Sequence, residues 1–221
     1  MRTLKGLIFA LITTFTLAGC GGGGGGGGDS TATGSGSTPT GSTQTNPLAK
    51  YAGTYYACED NQKRSVSLTV RGNGSLDALL SEDTFTNDKC AGTIIASYRL
   101  TEPVVVTYKT KTSATMPPIT ILPYSDIVDE VTLDGSNIKA TLSGSGVSGN
   151  CVKYFYTTAN GTTNGESCYE LAASPTLTLG ALYLTADGKY LVDFGRENGV
   201  LVPNGIYSRD PSFDYKSLIR D

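Results

Sequence analysis

The chain has 221 residues, a formal charge of −3, 28 Gly, 5 Cys and neither His nor Trp. Without His there is no Ser-His-Asp triad, no Cys-His pair, no imidazole metal ligand and no imidazole pH switch. The acidic balance argues against a basic surface built to hold nucleic acid.

Residues 1–20 read as an address. Arg2 and Lys5 form a short positive region, residues 6–17 an apolar run too short to span a bilayer, and Leu17-Ala18-Gly19-Cys20 follows. Those four positions resemble the lipobox of bacterial lipoproteins. The resemblance implies a signal peptide cleaved before Cys20, acyl chains on Cys20 and a lipid anchor in the cell envelope, where two or three chains hold a protein stably. The residue after the cysteine is Gly21 rather than Asp, which in that family implies the outer membrane. Losing Arg2 and Lys5 with the signal, which holds no acidic residue, moves the formal charge from −3 to −5.

Residues 21–46 read as a flexible tether. Eight consecutive glycines, 21–28, lead into a Ser/Thr/Gly stretch with nothing to anchor a core. Such a coil has a root-mean-square reach of roughly 28 Å. No strand or helix frames the glycines, so they do not read as a phosphate loop.

Residues 47–221, about 175 residues, are enough for a single core. Strands are expected over 51–58, 64–71 and 75–80. In the second, Val66, Leu68 and Val70 share a face, and Gly72-Asn73-Gly74 supplies the turn that follows. Further strands are expected over 92–100 and 103–110. A hairpin is expected from 127–133 and 138–142 about Asp134-Gly135, and another from 176–186 and 189–194 about Asp187-Gly188, with Tyr190, Val192 and Phe194 on one face. Asn198-Gly199 and Asn204-Gly205 read as two more turns, and 211–221 as a short helix or a tail. No stretch carries a long helical period. The expectation is an all-β domain of about ten mostly antiparallel strands, either a β-barrel or a two-sheet β-sandwich.

Cys58, Cys90, Cys151 and Cys168 are an even set suited to an oxidising compartment, and none has Cys-x-x-Cys spacing for metal or redox chemistry. Three pairings exist. Cys58–Cys90 and Cys151–Cys168 are favoured, the second because strands over 152–158 and 166–171, about a loop holding Asn160-Gly161 and Asn164-Gly165, would set Cys151 opposite Cys168. No metal ligand set or cofactor is expected. Asp126, Asp129, Glu130 and Asp134 do not have calcium-loop spacing and read as turn and solvated strand end. Glu59-Asp60 and Glu82-Asp83 could pair as acid and base, but such pairs are common in any chain this acidic. Lys63-Arg64 and Lys109/Lys111 read as solvent-facing. The tyrosines number 13. Tyr55, Tyr56, Tyr154 and Tyr156 are candidates for lining a ligand pocket, weighed against the simpler role of filling a core without Trp.

Gly53-Thr54-Tyr55, with Cys58 after it and Cys90-Ala91-Gly92-Thr93 beyond, resembles the Gly-x-Trp entry of lipocalin-type (calycin-like) barrels, Tyr standing for Trp. The resemblance covers roughly 51–93. It implies an eight-stranded barrel, a small apolar ligand in its mouth or interior, and a basic residue near the last strand packed on that aromatic, for which Arg209 is placed. The reading overall is a lipid-anchored, non-catalytic binding protein. The alternatives are a structural module touching cell wall or an envelope protein, and a hydrolase that works without His.

Overall fold

A computed structural model describes residues 46–114, 125, 127–158, 161–169, 171 and 177–214. The signal, Cys20, the tether up to residue 45 and the tail from 215 lie outside the described residues.

A short 3-10 turn, Ala49–Tyr51, precedes thirteen strands: β1 Gly53–Glu59, β2 Gln62–Val70, β3 Leu76–Asn87, β4 Ala91–Leu100, β5 Val104–Ser113, β6 Ile127–Asp134, β7 Ala140–Ser143, β8 Val147–Ser148, β9 Cys151–Thr158, β10 Gly161–Cys168, β11 Leu177–Leu184, β12 Tyr190–Glu197 and β13 Val200–Ser208. All strand pairings are antiparallel. Around one sheet the order runs β2-β1-β13-β12-β11-β6-β5-β3, and β3 pairs with β2 again, closing a barrel of eight strands. The fold is therefore the barrel and not the sandwich.

β3 is long enough to serve two neighbours on one edge. Its lower part, Leu76–Ala78, pairs with β5, and its upper part, from Ser81 to Asn87, pairs with β4. β4 thus leaves the barrel wall and carries β7 on its far side. A separate sheet of three strands, β10-β9-β8, joins this flap through the Gly146 N–H, which donates to the Ile95 carbonyl at 2.8 Å. A Cβ on Gly144 would overlap that same Ile95 carbonyl oxygen, and φ there is +135°, so the approach needs glycine.

The expected hairpin from 127–133 to 138–142 does not form. Both edges of β6 are already bonded, to β5 and β11, so the chain turns at Asp134-Gly135 and crosses to the free edge of β4. Asn204-Gly205 is not a turn either. Asp193 pairs with Gly205 and Phe194 with Pro203, leaving Asn204 as the extra residue of a bulge within β13. The second predicted hairpin is present as β11–β12, with Gly188 at φ +69° in its turn, and Asn198-Gly199 does turn, at φ +50° and +82°.

Alternation sorts the apolar side chains into two buried clusters. The main core draws on all eight barrel strands: Tyr55, Val66, Leu68, Leu76, Leu80, Val104, Val131, Leu182, Leu191 and Tyr207 are among its members, with Leu48 and Tyr51 entering from the 3-10 turn. The second cluster uses the neighbouring positions, hence the other face: Val128, Ala181, Val192, Phe194, Leu201 and Ile206, closed by Ala114 and Phe213. Each buried aliphatic chain contributes roughly 1.5–3 kcal/mol, so these clusters dominate the folding free energy. Both expected disulfides are formed, Cys58–Cys90 and Cys151–Cys168. Cys151 and Cys168 stand directly opposite each other in the β9–β10 register.

Candidate functional site

One end of the barrel is closed by the residues that carry the Gly-x-Trp resemblance. The Arg209 guanidinium lies 4.8 Å from the centre of the Tyr55 ring, and its Nη2 donates to the Tyr55 hydroxyl at 2.9 Å and to the Ala52 carbonyl at 3.0 Å. Gly53 has φ +139°, and a Cβ there would sit 2.5 Å from Arg209 Nη1. Beneath this lid the Tyr51 hydroxyl is 2.7 Å from Asp129 Oδ2 and 2.8 Å from the Leu182 carbonyl oxygen, while Lys50 Nζ reaches the same Asp129 oxygen at 2.7 Å. Burial, reinforced by Asp129, pushes the Tyr51 phenol far above its ordinary range.

Further along the interior lies a polar knot. Arg64 Nε donates to Glu82 Oε2 at 2.8 Å, with both side chains buried, and the Tyr169 hydroxyl donates to Glu82 Oε1. Tyr169 in turn stacks on Tyr98, with centroids 4.9 Å apart. Burial works against the Arg64 charge, but Glu82, helped by Tyr207 and Glu59, holds its pKa above the usual value. Burial, with Glu82 adding to it, raises Tyr169; burial, with Asp193 adding to it, raises Tyr207. Beside the knot a cavity of about 40 Å³ is lined by Glu59, Gln62, Arg64, Asn204, Gly205 and Tyr207 among others. That is room for one or two waters.

These placements correct two expectations. Arg64 is not solvent-facing, because it shares the inward parity of Val66 and Leu68 and meets Glu82 across the β2–β3 register. Asp129 and Glu130 are not a solvated strand end: both are buried, one on each face of β6. Asp129 faces the core beside Tyr51. Glu130 faces the other way, bonded to Arg196 and 3.3 Å from Lys109. A β-bulge makes this second arrangement. Tyr108 pairs with Val131 and Thr110 with Glu130, so Lys109 is the extra residue of β5 and is aimed at the carboxylate. Burial opposes ionisation of Glu130, but bonds from Arg196 and Lys109 hold its carboxyl below the usual range.

Next to that ion cluster opens a cavity of about 540 Å³, lined by Thr112, Ser113, Ala114, Arg196, Gly199, Val200 and Leu201. Its volume is that of a small-molecule site. It lies on the face of the strands turned away from the main core, as Ala114 and Leu201 belong to the second cluster. Val200 is 53% exposed and offers an apolar wall, Thr112 and Ser113 offer hydroxyls, and Arg196 offers charge.

The proposed lining tyrosines are dispersed. Tyr55 is fully buried under Arg209, and its hydroxyl donates to the Tyr51 carbonyl at 3.0 Å. Tyr56 is half-buried on the opposite face of β1, with Lys63 Nζ 5.5 Å from its ring centre. Tyr154 packs on the main core from β9, its ring over Gly165 of β10. Tyr156 lies in β9, and its side chain is outside the described residues. Arg64 and Glu82 were accessible to reasoning, since both continue an inward alternation, Arg64 with Val66 and Leu68, Glu82 with Leu76, Ala78 and Leu80. The groove residues were not, because no local pattern brings Thr112 to Val200. Among the described residues no group of three or more acidic, Cys or His side chains could hold a metal ion. Comparison with family models, curated proteins and solved structures finds no match to this chain.

Proposed function

We propose that this chain is a lipid-anchored protein of the bacterial cell envelope, held at the outer membrane through Cys20, and that its barrel is a non-catalytic binding module. Leu17-Ala18-Gly19-Cys20, the glycine tether and two disulfides support the address. One observation carries the binding reading and relocates it. The described barrel interior is filled by its own side chains, with about 40 Å³ beside the polar knot, whereas about 540 Å³ is open on the opposite face. A small apolar ligand inside the barrel, as the lipocalin resemblance implies, would have to displace side chains of that buried core. A ligand in the outer groove has room enough.

A second reading, contact with an envelope protein, is favoured by the exposed leucines of β11. Leu177 is 70% exposed, and Leu179 shares its face. Native mass spectrometry of the protein purified from its own host separates the two. A co-purifying small molecule supports the ligand reading, a co-purifying protein supports the partner reading, and a bare chain overturns both.

A further inference from the structure

We infer that the outer groove takes a small amphiphile with an anionic end, the carboxylate meeting Arg196 and the apolar chain lying along Ala114, Val200 and Leu201. The inference rests on the binding-module reading and names its site and ligand class.

Charge is the first argument. Lys109 and Arg196 share a single carboxylate, Glu130, so this cluster carries one more cation than anion. Glu130 is buried and held by both partners, whereas Arg196 is a third exposed and faces the groove. A second anion arriving at Arg196 would therefore find a guanidinium whose neutralisation is already shared with Lys109. Arginine is suited to that role, because its fork binds a carboxylate through two parallel N–H donors. One nitrogen, Nη1, now donates only to the Gly199 carbonyl, at 2.9 Å, on the rim of the groove.

Shape is the second argument. Thr112, Ser113 and Ala114 at the end of β5 meet Arg196, Gly199, Val200 and Leu201 around the β12–β13 turn, so hydroxyls, a guanidinium and aliphatic side chains line a single cleft. A purely apolar molecule would leave Arg196 with no anion beyond the Glu130 it shares with Lys109. A purely ionic one would leave Val200 exposed. An apolar carboxylate satisfies both.

The test uses the full-length chain carrying Cys20→Ser, so that no acyl chain of its own competes, titrated calorimetrically with decanoate and with decanol. Saturable one-site binding of decanoate, at least tenfold weaker binding of decanol, and at least a tenfold loss of decanoate affinity in Arg196→Gln and in Val200→Asp are expected. Val200 is exposed, so Val200→Asp keeps its thermal midpoint and reports on the groove even where Arg196→Gln disturbs Glu130. Decanol binding as tightly as decanoate, or no decanoate binding at all, overturns the inference. Decanoate binding that survives both substitutions also overturns it, and leaves the binding-module reading standing. That reading falls separately, if the host-purified protein carries neither ligand nor partner.

Discussion

Arg209 holds the closed end of the barrel through contacts to three different groups. It covers the Tyr55 ring, bonds that ring's hydroxyl and the Ala52 carbonyl, and donates from Nε to the Gly188 carbonyl at 2.9 Å. Arg209→Ala removes them together, and charged hydrogen bonds contribute roughly 1.5–3 kcal/mol, so urea denaturation should show a loss of about 2 kcal/mol. Arg209→Lys should recover only part of it, because an ammonium cannot span a ring face and two acceptors at once. The tyrosines give an alkaline prediction. Burial raises the folded-state pKa of Tyr51, Tyr169 and Tyr207 above the ordinary phenol value. The unfolded chain therefore releases protons first. Stability is full below about pH 10 and falls above it, by about 1.4 kcal/mol per pH unit for each such tyrosine. Absorbance at the phenolate band should include a late stage that coincides with unfolding, from Tyr51, Tyr169 and Tyr207. A single stage near pH 10 with the fold intact would contradict the burial described.

At the scale of elements, the two disulfides act on loops of different kinds. Cys58–Cys90 ties the β1–β2 turn to the β3–β4 turn, 32 residues apart, where Cys90 N–H also donates to the Asp60 carbonyl. Cys151–Cys168 closes a hairpin of separation 17 whose strands already pair residue for residue. On chain entropy the two contribute about 4 and about 3 kcal/mol. The double substitution Cys151→Ser/Cys168→Ser should cost about 3 kcal/mol in chemical denaturation and leave the β1–β2 and β3–β5 amides protected from hydrogen exchange. The cysteine pairing was legible in the sequence because its information is local, the midpoint of Cys151 and Cys168 falling between residues 159 and 160. The loop expected to run through Asn164-Gly165 is shorter, since β10 starts at Gly161 and pairs Asn164 and Gly165 with Phe155 and Tyr154. The hairpin expected at Asp134-Gly135 had the same local signature, yet it does not form. What decides there is non-local, as β5 and β11 have already taken both edges of β6. The same limit hid the groove. Glu130 meets Arg196 across 66 residues, and no spacing rule reaches that far, whereas Arg64 and Glu82 could be read from strand parity alone.

At the scale of the whole molecule, the chain enters the barrel at its plugged end. Asn46 accepts from the Leu48 and Ala49 amides, and the 3-10 turn that follows sends Tyr51 into the core. The 3-10 turn therefore leads directly into the end of the barrel held by Arg209 and Tyr55. Attachment and folding should then be separable. On the proposed reading, membrane residence rests on acyl chains at Cys20, because a formal charge of −5 after residue 20 favours no hold on anionic headgroups. Cys20→Ser should move the protein from the membrane pellet to the soluble envelope fraction at both low and high salt, since no ion pairing replaces the lost chains. Its thermal midpoint should match that of the detergent-solubilised parent, because among the described residues the buried contacts of the barrel begin at Asn46 or after it. A Cys20→Ser protein that stays in the pellet through a high-salt wash would contradict the acyl anchor. One that leaves the membrane but melts well below the parent would show that the tether does more than connect.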